Sequence, residues 1–109
     1  MNPSFFGPSG WKFLHSVTFG YPYNPSPVTR EQYKRYFESV QFVLPCIYCR
    51  RSYQQYYREL PIDNYLQDKV HLAYWLYLIH NKVNKKLRDQ GKNIPDDPSF
   101  ESILKKYIS

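Results

Sequence analysis

A chain of 109 residues with 15 Lys and Arg against 9 Asp and Glu, a formal charge of +6 and 19% aromatic residues has the size of one domain, 1–109, around one core. Two cysteines are too few for the disulfide framework of a small secreted scaffold, no basic-then-apolar leader opens the chain, and the longest apolar run, Trp75 to Ile79, falls far short of the roughly 20 residues of a membrane span. The positive charge invites an anionic partner, but the basic residues are scattered and carry no zinc-finger, RRM, KH or helix-turn-helix signature, which weighs against nucleic acid.

Taken in order, the elements are helices. Gly7-Pro8-Ser9-Gly10 reads as a turn, with Ser9 capping a first helix whose contacts are Trp11, Leu14, Val17 and Thr18, ending near Gly20. Three prolines between Tyr21 and Pro27 fix a loop. Thr29-x-x-Gln32 has capping-box form and opens a second helix with Tyr33, Tyr36, Phe37, Val40, Val43 and Leu44 on one face. Pro45 ends that helix and suits the first turn of a third, running to about Leu60 with Tyr53, Tyr56 and Tyr57 on one side. The strongest helical signal spans about Gln67 to Gln90, with Leu72, Leu76, Ile79, Val83 and Leu87 as its stripe, basic last turns and Gly91 as its stop. Asp97 followed by Pro98 predicts a short fifth helix carrying Phe100, Ile103, Leu104 and Tyr107. With no convincing strand, the fold class is all-α: a four-helix bundle with a short fifth helix. The 12 tyrosines exceed what a small helical core usually needs, so they point to a pocket for a planar ligand or to a subunit surface, with Tyr33, Tyr36, Tyr56 and Tyr57 as its candidates beside the plainer reading as core.

The only cysteines stand in Pro45-Cys46-Ile47-Tyr48-Cys49-Arg50-Arg51, one turn apart at a predicted helix start. Helix N-termini lower thiol pKa values, and Arg50 and Arg51 should help, so the stretch is expected to favour thiolate. A zinc site needs two more ligands, and His15, His71 and His80 include no pair at finger spacing, so no metal is expected, although distant histidines could converge. A thioredoxin-like motif would follow a strand, and here a helix precedes it. An inert buried pair is the remaining reading. Trp11 with His15, and His80 with Asn84, each project from one helical face; as isolated pairs they read as core groups as readily as ligand contacts.

Taken together these residues resemble the Erv/ALR family of FAD-dependent sulfhydryl oxidases. That family's G-x-x-x-W-x-x-L-H, with an aromatic-Pro six residues after the His, matches Gly7, Trp11, Leu14, His15 and Tyr21-Pro22. Its Pro-Cys-x-x-Cys matches Pro45 to Cys49, and its W-x-x-x-x-H-N-x-V-N-x-x-L matches Trp75, His80, Asn81, Val83, Asn84 and Leu87. The resemblance implies an FAD held in the bundle by Gly7, Trp11, His15, Cys49, His80, Asn81, Val83, Asn84 and Lys86. Asn84 would bond a base edge, and Lys86 or Arg88 would neutralise the pyrophosphate. It implies Cys46 as the sulfur that exchanges with incoming dithiols and Cys49 as the flavin-proximal one, with oxygen reduced to hydrogen peroxide, thiol-containing protein substrates and a homodimer.

Pro8 and Asp89 depart from the family pattern, which is usually basic at both places, and no shuttle cysteine pair is present. Such two-cysteine forms look like those of large DNA viruses, which implies a thioredoxin-like protein as electron donor and a place in host cytoplasm or virion. The competing class is a non-enzymatic helical module with a zinc or structural cysteine pair and a basic surface for nucleic acid.

Overall fold

The computed structural model describes residues 1–108, in which α1 (Pro3–Phe19), α2 (Pro27–Val43), α3 (Ile47–Glu59), a 3-10 turn (Ile62–Tyr65), α4 (Lys69–Asp89) and α5 (Phe100–Tyr107) follow in order. No strand occurs among the described residues, in keeping with the all-α expectation. Helix α4 is the axis: α1, α3 and the 3-10 turn pack on it, and α2 packs on α3. Among the described residues no helix is long and apolar enough to cross a membrane.

The starts of α1, α2 and α5 differ from expectation because a nearer cap wins. Helix α1 begins at Pro3, with the Asn2 side chain accepting from the Ser4 N–H, and it runs straight through Pro8 instead of starting after a turn. Asn before Pro is a strong start signal, and an internal proline costs about 3 kcal/mol, which the chain accepts near an exposed end. Helix α2 is capped by Ser26 with Pro27 in its first turn, so Thr29 lies inside the helix and no Thr29–Gln32 box is used. Helix α5 is capped by Ser99, not Asp97, because Asp97 is drawn to Arg88 on α4. The stop after α4 is as expected. Gly91 takes φ +81°, its N–H reaches the Arg88 carbonyl, and the Lys92 N–H closes back on Leu87 O at 3.0 Å, a Schellman end that needs a residue free to adopt left-handed φ.

The core is built from Tyr21, Phe37, Val40, Tyr53, Ile62, Leu72, Trp75, Leu76 and Ile79, with Tyr56 and Leu66 beside them. Buried phenol and indole groups need partners, and here they tie elements together. Tyr21 donates to Leu66 O at 2.8 Å, Tyr53 to Phe37 O at 2.7 Å and Trp75 to Leu60 O at 2.8 Å. Much of the tyrosine excess is therefore core. Tyr56 is buried and Tyr33 and Tyr57 pack against the cluster, so of the four proposed surface tyrosines only Tyr36 is exposed. Val43, expected to face inward, is exposed too, since the α2 stripe that reaches the core runs through Tyr33, Phe37, Val40 and Leu44.

Candidate redox and aromatic site

Cys46 is the N-cap of α3, one position outside the helix, with Pro45 ahead of it in the link from α2 instead of inside the first turn as expected. Its Sγ accepts from the Cys49 N–H at 3.3 Å, doing with sulfur what a Ser or Asp oxygen does at other caps. The two cysteines are free thiols of unequal character. Burial opposes ionisation of Cys46, but hydrogen bonds from Cys49 and from the Cys49 and Tyr48 backbone outweigh it, leaving its pKa below the ordinary thiol value. Cys49 is pushed up to about 11, by burial first and then by its neighbour Cys46, with Lys86 pulling the other way.

The expectation of a generally thiolate-favouring stretch holds for one sulfur only. Two adjacent thiols cannot share a single set of cap donors, and the arginines do not help. Arg50 instead donates through Nη1 to Leu44 O, closing the α2–α3 link, and Arg51 is exposed. Cys46 is also the more buried, 6% exposed, because its sulfur folds back over the first turn, while Ile47 and Tyr48 between the pair stand out into solvent with Phe42 and Val43.

The second half of the site is aromatic. Trp11 of α1 and His80 of α4 stack at 3.8 Å with 10° between planes, and the His15 and His80 rings meet at Nε2···Nδ1 3.0 Å. Tyr107 of α5 approaches His15 at 5.8 Å and stacks on Phe19 at 5.0 Å. Among the described residues the buried Nδ1 of His15 has no partner. A bare nitrogen there costs less than an orphan N–H, so the favoured tautomer has His15 Nε2–H donating to His80.

Both histidines fall to about 4 in pKa: His15 by burial and then the Lys106 charge, His80 by burial and then His15, with Asp97 opposing. Both are therefore neutral in the fold at pH 7. The unfolded chain takes up protons below the ordinary value of 6.5 while the native pair does not. Their contribution to stability is thus complete above that value and lost as pH falls toward 4. The urea midpoint should drop across this window and drop less in His80→Phe, which keeps the stack and removes a titration; equal drops in the two proteins would refute the assignment.

The remaining positions named from sequence divide. Asn84 donates to Asp97 Oδ1 at 3.1 Å, and Arg88 pairs with the same carboxylate at 2.7 Å. Arg88 is thus engaged within the chain, and Asp97, held below the usual carboxylate range first by the Arg88 hydrogen bond, is a member of the site that the sequence reading took for a cap. Val83 packs on the core, and Lys86 donates to the buried Ser52 hydroxyl of α3. Asn81 lines an open groove with Leu78, Lys82, Lys85 and the Arg88–Asp97 pair. Gly7 is half-buried on α1, and a Cβ there would meet nothing, so no neighbour within the chain asks for glycine. Ser52, Asp97, Tyr107 and Phe19 were missed. Only Tyr107 had a signal, its place on the apolar stripe of α5. Trp75, matched in the third motif, belongs to the core. Among the described residues no three His, Cys, Asp or Glu side chains gather as a metal-ligand set.

A cysteine pair at the start of α3 and an aromatic–imidazole cluster drawn from α1, α4 and α5 thus stand in one small helical bundle. The chain belongs to the Erv1 / Alr family, whose profile matches residues 8–104. It is 39% identical over 85 residues to a probable FAD-linked sulfhydryl oxidase of Acanthamoeba polyphaga mimivirus, covering 77% of this chain and 59% of that one. It is 34% identical over 82 residues to the mitochondrial FAD-linked sulfhydryl oxidase of Saccharomyces cerevisiae, covering 75% of this chain and 42% of the yeast protein. The fold superimposes on the crystal structure of the yeast Erv1 core with a TM-score of 0.86 at 27% identity, covering 99% of this chain and 85% of that one. The chain thus spans about half the length of the two curated relatives.

Proposed function

We propose that this domain is an FAD-linked sulfhydryl oxidase that makes disulfides in thiol substrates. The observation that carries this reading is the presence, in one bundle of that family's fold, of an N-capping Cys46 with Cys49 one turn on and of a neutral cluster of Trp11, His15 and His80. The donor set fits a flavin dinucleotide: flat rings for stacking, a buried unpartnered His15 Nδ1, the Asn84 amide for a base edge, and the Lys86 ammonium for negative charge. Trp11, His15, His80, Asn84 and Lys86 would hold FAD, with Gly7 leaving open space beside α1 and Val83 forming wall. When bound, FAD supplies two-electron oxidation of the dithiol, with oxygen as final acceptor and hydrogen peroxide as product.

The protein's own part is thiol–disulfide exchange. A substrate thiolate attacks Sγ of Cys46 in the Cys46–Cys49 disulfide, the S–S bond breaks, and Cys49 leaves with the electron pair. The second substrate thiol then attacks the mixed disulfide and releases Cys46, whose departing charge is received by the Cys49 N–H at the helix start. The substrate leaves oxidised and the protein holds the dithiol.

The assignment of Cys46 to substrate and Cys49 to flavin follows the motif positions, and the Lys86 charge acting on Cys49 supports it. Both cysteines of the chain sit at this turn, so a donor's own thiols would be oxidised here. A thioredoxin-like protein has the required dithiol. A paired subunit and a viral setting, in host cytoplasm or virion, complete the reading, the latter supported by the mimivirus relative.

Purified protein should be yellow, with flavin absorbance near stoichiometric, and should consume oxygen when given dithiothreitol. A colourless protein that binds zinc through its cysteines and leaves oxygen untouched would reject the oxidase in favour of the binding module.

A further inference from the structure

Cys49 needs help that the helix start does not give it. In the exchange described above it must leave as a thiolate, yet it is partly buried within the first turn of α3, and the cap sulfur beside it carries the negative charge more readily. The charged or titratable groups acting on it are Cys46, from the turn ahead of α3, and Lys86, from α4. Arg50, on its own helix, is committed to Leu44 O, and Arg51 points to solvent.

Lys86 is a long, flexible side chain that in water would spread over many rotamers. Here its ammonium is held by the hydroxyl of Ser52, a residue 9% exposed that lies three positions after Cys49 and therefore on the same side of α3. A buried hydroxyl is a short and rigid anchor for a cation. Nothing in the motifs pointed to it, because the contact joins residues 34 positions apart on different helices.

We propose that Ser52 is a positioning residue for the redox pair: it holds the Lys86 ammonium against the first turns of α3, where that charge stabilises the Cys49 thiolate. Ser52 touches neither substrate nor sulfur and acts through Lys86. The proposal rests on the reading of Cys49 as the electron-donating sulfur.

The test titrates Cys49 alone, in a Cys46→Ser background that keeps a cap acceptor and forbids the disulfide. The rate of iodoacetamide alkylation is followed against pH, which requires neither flavin turnover nor oxygen, so loss of the oxidase reading and loss of this proposal are separable. Ser52→Ala and Lys86→Gln should each raise the midpoint by about half a pH unit or more, since each removes or releases one nearby positive charge. Ser52→Thr should restore the parent profile, and the Ser52→Ala, Lys86→Gln double variant should shift no further than Lys86→Gln alone, the non-additivity expected of residues acting as one unit. The proposal is overturned by additive shifts, or by an unshifted midpoint in folded Ser52→Ala. Should Ser52→Ala fail to fold, Lys86→Gln decides by itself, because an unchanged midpoint there leaves Ser52 nothing to position.

Discussion

Cys49→Ser should lower dithiothreitol-driven oxygen consumption on the order of a thousandfold or more, the scale on which losing a group that forms a covalent intermediate is felt. The loss is chemical and not structural. Cys49 contributes only its backbone N–H to the cap of α3, which serine retains, and the side chains expected to hold flavin, Trp11, His15, His80 and Asn84, lie on other helices. The variant should therefore purify with its flavin absorbance intact while oxygen uptake sits at background. If Cys49→Ser turned over dithiothreitol at the parent rate, the electron-donating sulfur would have to be sought elsewhere, and with it the exchange sequence proposed above.

Trp75→Ala should remove most of the stability of the domain. The indole is 0% exposed and lies edge-on to Phe37 at 5.3 Å and to Tyr57 at 6.1 Å, so its loss opens a cavity where α4 meets α2 and α3. Truncating a buried Trp to Ala costs about 3–5 kcal/mol, and the Leu60 carbonyl left without its 2.8 Å donor adds to that. Domains of this size have about 5–15 kcal/mol in all. Trp75→Phe keeps most of the volume and loses the donor, and should cost about 1–3 kcal/mol, the range for a buried group left unpaired. Urea unfolding followed by circular dichroism measures both. A Trp75→Ala protein within a few tenths of a molar of the parent midpoint would mean that the core closes around the gap, which the fully buried neighbours Phe37, Leu72 and Leu76 give no room to do.

The same residue shows how motif and structure divide. Trp75 and His80 belong to one matched motif, yet five positions of helix carry them to different surroundings, Trp75 into the core and His80 onto Trp11. Spacing within a helix states which side chains share a face, but not what packs on that face. The stripe of α2 was legible as apolar, and it took the seating of α2 on α3 to leave Tyr36 and Val43 outside and Phe37 and Val40 inside. Part of the tyrosine count, read as a sign of a ligand pocket or subunit surface beside a plainer core role, records the core phenols Tyr21 and Tyr53, whose hydroxyls reach carbonyls on other elements and are thereby buried at little cost.

Local signals determined what is local. The helical periods, the Gly91 stop and the placing of Cys46 and Cys49 about one helix start follow from side-chain spacing, glycine's access to positive φ and proline's missing N–H, all of which act within a few residues. Helix beginnings were less secure, since Asn2, Ser26 and Ser99 each offered a cap in competition with the one expected. Only the tertiary structure brought His15 from α1, His80 from α4 and Tyr107 from α5 together, drew Asp97 to Arg88 and Asn84, and set Lys86 on Ser52. It also made the two sulfurs unequal. Desolvation and the direction of single N–H groups fix a thiol's charge, and both depend on what other helices cover, which no spacing of residues along the chain can state.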